Sequence, residues 1–196
     1  MQALGSASLL YCYWLTLLLP SFLPVDNEEA SLISLALASG LVAFDAQGCH
    51  LRLSGTAWSH ACALGGGLCL FPLLLLIGFG LAGSLHIKPP GILAAHGPPD
   101  TVTLVSMALA SPFIEEYVFR GRVLSDIRRS LGTIPSVLLS SVAFALIHME
   151  PWLIGGALAS GLVLGSIRVA TGGISHGVCF HSGLNVSAII GLSLVS

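Results

Sequence analysis

The sequence predicts an all-α, polytopic membrane protein of about seven transmembrane helices, and three observations predict it. Hydrophobic residues make up 55% of the 196 positions and charged residues only 8%, a balance that suits lipid rather than water as the solvent for most of the surface. The apolar residues fall into long runs punctuated by Pro, Gly and charge, each close to the roughly 20 residues a helix needs to cross a hydrocarbon core. The charges inside those runs are concentrated: Glu115, Glu116 and Arg120 share one of them. An ionised side chain near the bilayer centre costs about 2.5–3.5 kcal/mol on insertion scales, so such a cluster faces a protein interior and marks a site.

Taken in order, the first helix is expected near 4–24, closed by Pro20 and Pro24, and an acidic turn from Asp26 to Glu29 leads into a shorter second helix near 30–44. The first run has no basic n-region and no small-residue cleavage site, which reads as a retained helix rather than a signal peptide. A polar stretch from Asp45 to Gly55 precedes a third helix near 57–87. Lys88-Pro89-Pro90 through Pro98-Pro99-Asp100 is a helix stop and the longest loop, because proline lacks the amide proton and restricts the residue before it. The fourth helix, near 101–127, carries the glutamates; the fifth lies near 134–149 with Pro135 in its first turn, the sixth near 152–170 and the seventh near 173–195. All belong to a single transmembrane domain spanning 1–196.

Loop charge gives an orientation, since cytoplasmic loops are enriched in Lys and Arg. With the N-terminus cytoplasmic, Arg52, Arg122, Arg128, Arg129 and Arg168 fall inside and Lys88 outside. A net charge of −2 with scattered basic residues excludes a nucleic-acid footprint. Cys12, Cys49, Cys62, Cys69 and Cys179 form no C-x-x-C pair and read as small packing residues. Glycines at 65–67, 155, 156, 161 and 165 sit on predicted helices, where small residues let helices approach closely in lipid; packing is favoured over substrate contact.

Groups able to do chemistry gather after residue 110 on three different helices: Glu115, Glu116 and Arg120 on the fourth, His148 ending the fifth, His181 and Asn185 on the seventh. Counting up from the cytoplasmic side at 1.5 Å per residue puts Glu115 about 20 Å, His148 about 21 Å and His181 about 13 Å into the slab, within a turn or so of one another. Residues four apart share a helix face, so Glu116 and Arg120 can pair, whereas adjacent residues diverge by about 100° and Glu115 is left to another side. A glutamate without its cation in an apolar site is in the setting that tunes carboxylates for general-base work. His181 and Asn185, also four apart, present donors side by side that can hold an oxyanion. Each has a plain alternative: a structural ion pair, a headgroup-level histidine beside Glu150 and Trp152, an asparagine joining helices. Their co-occurrence at one depth favours a site. His50, His60, His86 and His96 read as interfacial, and His176, five residues before His181, looks away from its face.

Three patterns thus occur in order: E-E-x-x-x-R at Glu115, Glu116 and Arg120, F-x-x-x-H at Phe144 and His148, and H-x-x-x-N at His181 and Asn185. Over residues 100–196 this resembles the CAAX protease and bacteriocin-processing (CPBP, or Abi) family, which includes the type II CAAX prenyl endopeptidases. The resemblance implies a glutamic-type intramembrane endopeptidase whose catalytic core is the last four helices, with 1–99 supplying N-terminal helices. It implies that Glu115 activates a water together with His148, that His181 and Asn185 stabilise the oxyanion, and that Glu116 and Arg120 organise the site. It implies no cofactor, although a Glu/His/His set could hold zinc with a position left for water. The partner would be a membrane-anchored peptide or protein in the lipid bilayer: a CAAX-type tail, a bacteriocin leader or a C-terminal sorting signal. The small Ala/Gly/Leu-rich chain with minimal loops points to a multi-pass protein of a bacterial plasma membrane, which favours the last two. G-x-S-G, G-x-G-D and H-E-x-x-H motifs of other intramembrane proteases are missing. A non-catalytic scaffold or immunity protein is the alternative from another class, and a transporter using Glu115 as a proton site a weaker one, since no internal repeat is visible.

Overall fold

The computed structural model describes residues 5–18, 27–46, 55–84, 101–148 and 151–195. Among the described residues the chain forms seven helical segments and no strand. They are α1 (Ser6–Leu18), α2 (Asn27–Ala46), α3 (Ala57–Ser84), α4 (101–131), α5 (Thr133–Leu146), α6 (Pro151–Thr171) and α7 (Ser175–Val195). By length and composition, α3 over Ala57–Leu74 and α6 over Leu153–Thr171 are apolar enough to cross a membrane, while α1, α2 and α5 contain shorter apolar stretches. The anticipated prolines at 20 and 24 and the loop at 88–100 lie outside the described residues, as do Cys49, His50, Arg52, His86, Lys88, His96 and Glu150.

The helices pack in pairs along the chain and across it: α1 lies along α2, α5 along α6, and α3 along α7, the last pair running parallel, with Ser59 beside His176 at one end and Phe71 beside Gly191 at the other. The α4 segment touches α1, α2, α5 and α7 and forms the centre. Its Tyr117, Val118 and Phe119 are fully buried and join Phe144 of α5, Leu9 and Tyr13 of α1 and Val42 of α2 in one apolar core. By contrast Leu76, Ile134, Leu109 and Leu146 are well exposed, the arrangement expected where the surroundings are as apolar as the interior.

α4 is not a uniform helix. Two π-helical stretches, Ser106–Ala110 and Glu116–Val123, alternate with the α-helical Thr101–Val105, Ser111–Glu115 and Leu124–Leu131. A π turn bonds i to i+5 and leaves the helix wider and locally weaker, a feature concentrated at functional sites. Its carbonyls then become available to other helices. The Met107 carbonyl accepts a hydrogen bond from Asn185 of α7 at 2.8 Å, and the Arg120 carbonyl accepts one from Arg168 Nε of α6 at 3.2 Å. The segment ends at Gly132, whose φ of +85° a side chain would resist.

Three expectations change. Asp45 does not open a loop but lies inside α2, fully buried. The chain continues that helix because Asp45 finds partners on α4. Arg122 and Arg168 are not loop charges: Arg122 pairs with Asp45 at 3.0 Å and Arg168 binds the α4 backbone. Cys62 and Cys69 are exposed rather than packed.

The glycine runs divide sharply. A Cβ on Gly67 would overlap the Phe180 carbonyl oxygen, and one on Gly183 would overlap that of Leu64, so α3 and α7 cross backbone to backbone. A Cβ on Gly161 would lie 3.1 Å from Ser141, and one on Gly165 3.1 Å from Val137, which seats α6 on α5. Gly65, Gly155 and Gly156 face open space. Gly67→Ala and Gly183→Ala are therefore expected to destabilise by about 1–3 kcal/mol or more through overpacking, and Gly65→Ala to be neutral. Thermal unfolding of the three purified variants in detergent checks this.

Candidate active site

Glu116 is the centre of the polar cluster. Its side chain is fully buried, as is that of Arg120, and the two meet at 3.1 Å between Oε1 and Nη1. The i,i+4 pairing anticipated from spacing is thus formed. The same carboxylate oxygen lies 3.3 Å from Nδ1 of His181 on α7, so one acceptor joins two helices. Glu116 fits against α7 because residue 177 is glycine: a Cβ there would come within 2.6 Å of Oε2.

Arg120 is held on three sides. Nη2 donates to the Gly161 carbonyl on α6 at 3.3 Å, and its Cζ stands 4.3 Å from the centroid of the Phe144 ring. A desolvated guanidinium over an aromatic face contributes up to about 2 kcal/mol. Phe144 in turn meets His181 edge to face at 5.6 Å, His148 at 4.9 Å and Phe119 at 5.4 Å. Phe144 is the apolar partition between the two histidines.

Glu115 lies outside the Glu116–Arg120 pair and reaches the same histidine from its other nitrogen. Its Oε1 accepts the Ser111 hydroxyl at 2.5 Å, and its Oε2 lies 3.7 Å from Nε2 of His181. The imidazole stands between the two glutamates, one ring nitrogen toward each. The α-to-π junction falls between Glu115 and Glu116, and the flat ring offers its two nitrogens on opposite edges, so neighbouring residues reach one partner. Oε2 of Glu115 is buried and has no hydrogen-bond partner among the described residues. A polar gap longer than 3.5 Å between buried groups is where a bridging water fits.

His148 and Asn185 are placed around this cluster, not within it. His148 sits in the turn after α5, half-buried, with Nδ1 3.0 Å from the Phe144 carbonyl. Asn185 donates one carboxamide N–H to Met107 O and keeps a second. His176 faces α3, stacked on His60 at 4.4 Å with Nε2 2.9 Å from Ser59 Oγ. Sequence reading missed Ser111, Gly177 and Asp45. Ser111 was accessible to it, standing four residues before Glu115; Gly177 was not, because nothing in the sequence says which residue faces it. Among the described residues no three His, Cys, Asp or Glu side chains are grouped as a metal ion would require. The acidic pair and His181 meet along two edges of one ring, a donor set that does not converge on a point.

An all-helical, apolar bundle enclosing two acids, an arginine and a histidine defines a membrane protein with a buried polar cluster in its interior. Residues 97–187 match the family model described as type II CAAX prenyl endopeptidase Rce1-like. That match takes in all six nominated residues and supports the assignment of the chain to the CAAX protease and bacteriocin-processing family, a family of proteases. No curated protein and no solved structure matches the chain.

Removing one partner of a buried pair strands the other charge. Arg120→Met is expected to cost about 3–5 kcal/mol, and Arg120→Met combined with Glu116→Gln clearly less. Unfolding titrations in mixed micelles distinguish the two.

Proposed function

We propose that this protein is an intramembrane endopeptidase in which Glu115 activates the attacking water. The observation that carries the reading is the buried, unpartnered Oε2 of Glu115 facing His181 Nε2. A water held there would donate a proton to Glu115 while its oxygen attacks the scissile carbonyl carbon, forming a tetrahedral oxyanion. The proton then passes from Glu115 to the departing amine as the C–N bond breaks, which leaves the carboxylate ready for another cycle.

The other residues take supporting roles in this proposal. His148 assists Glu115 from across Phe144. His181 and the remaining N–H of Asn185 are the oxyanion donors, as the family resemblance implies. Glu116, fixed by Arg120, orients His181 through Nδ1. No step is routed through a metal.

The substrate class is a peptide tethered in or at the bilayer, of the CAAX type that the family match suggests. Within that class a bacteriocin leader or C-terminal sorting signal suits a small bacterial plasma-membrane protein with a cytoplasmic N-terminus, and we include both in the proposal. The seven helical segments would then serve as membrane spans, with α4 shielded from lipid by its neighbours.

The test uses protein reconstituted in liposomes and three probe peptides: a farnesylated CAAX peptide, a bacteriocin leader and a hydrophobic sorting tail. Glu115→Gln is expected to lower cleavage roughly 10²–10⁴-fold with unchanged insertion and thermal midpoint. Retained cleavage by purified Glu115→Gln would falsify the assignment of the base. Cleavage that persists in a strong chelator supports the metal-free route, whereas loss restored by zinc replaces it with the metal-dependent one.

A further inference from the structure

The family match begins at residue 97, yet the polar cluster is gripped from outside that segment. Asp45, on α2, is fully buried, and a buried carboxylate is costly unless it is paired and hydrogen-bonded. Its Oδ2 accepts the Tyr117 hydroxyl at 2.7 Å and stands 3.0 Å from Arg122 Nε. Tyr117 directly follows Glu116. Arg122 is two residues past Arg120. One oxygen therefore holds both ends of the π turn Glu116–Val123. Between them Phe119 meets Tyr13 of α1 in a T-shaped contact at 6.1 Å, so residues 117, 119 and 122 face the N-terminal helices while 116 and 120 form the site.

A π turn is the weaker helical form and persists where tertiary contacts over-determine it. Relaxation to regular α-helical winding would shift Tyr117 relative to Arg122 and break at least one of the two contacts to Asp45. It would also rotate Glu116 relative to Glu115, and the shared approach to the two nitrogens of His181 depends on that relation. We infer that Asp45 is a positioning residue that fixes the register of the π turn and thereby keeps both glutamates on His181. This rests on the protease reading only for its kinetic consequence; the geometric claim stands apart from it.

The experiment compares wild type, Asp45→Asn, Asp45→Ala and Tyr117→Phe in the full-length protein, with ¹³C-carboxyl-labelled glutamate observed by NMR and the Glu115 signal assigned by its loss in Glu115→Gln. In Asp45→Ala and Tyr117→Phe the Glu115 and Glu116 carboxyl resonances and their pH titrations are expected to move, and kcat per folded molecule to fall about tenfold or more with KM unchanged. Asp45→Asn keeps an acceptor for Tyr117 and should recover part of both. Resonances and kcat equal to wild type, with only a lower thermal midpoint, overturn the proposal and leave Asp45 as a helix tie. Should Asp45→Ala fail to fold, Tyr117→Phe, which removes a single hydroxyl, decides alone. Displaced resonances together with normal cleavage by Glu115→Gln would retain Asp45 as the register lock and discard Glu115 as base, so the two readings fail separately.

Discussion

Everything near the centre of this molecule answers to a charge that cannot reach water. Glu116 and Arg120 are both without solvent exposure, and the free energy of such a pair is bounded by desolvation on one side and by geometry on the other. The pair is tolerable because its spare valences are used. Arg120 has a backbone acceptor on α6 and an aromatic face on α5; Glu116 has His181 on α7. Four helices are thereby tied to one ion pair. A bilayer supplies little hydrophobic force to bring helices together, so a polar centre of this kind also decides how they assemble.

The irregular winding of α4 belongs to the same economy. Each π stretch releases carbonyls that a plain helix would keep to itself, and each is met by a polar side chain from another helix: Asn185 at Met107, Arg168 at Arg120. Ser125 lies 3.4 Å from the same Arg120 carbonyl. The backbone thus takes part in helix association alongside the side chains. It also means that Asn185 has a structural task at the moment when a family resemblance assigns it an electrostatic one, and its two N–H groups allow both.

What the sequence disclosed depended on whether the information was local. The seven helical segments and the Glu116–Arg120 pair are encoded in run length and i,i+4 spacing, and both are present. Asp45 was misread because a lone acid after an apolar run looks like the start of a loop; its partners are 72 residues away at Tyr117 and nothing in between announces them. That Glu115 nevertheless shares a partner with Glu116 was equally hidden, since it depends on His181 of another helix presenting one ring nitrogen to each. The glycine run at 65–67 was rightly tied to packing, but only Gly67 lies against backbone, and which of three neighbours points inward is decided by a partner helix.

The crossing at Gly67 and Gly183 has one more implication. Where two backbones touch with no side chain between them, neither helix can slide along the other without driving a carbonyl into a Cα, so α3 serves as a fixed ruler against which the height of His181 on α7 is set. Breathing motions of the bundle are thereby steered away from this wall. They are left to the helices whose contacts are made by side chains, which can turn aside and return.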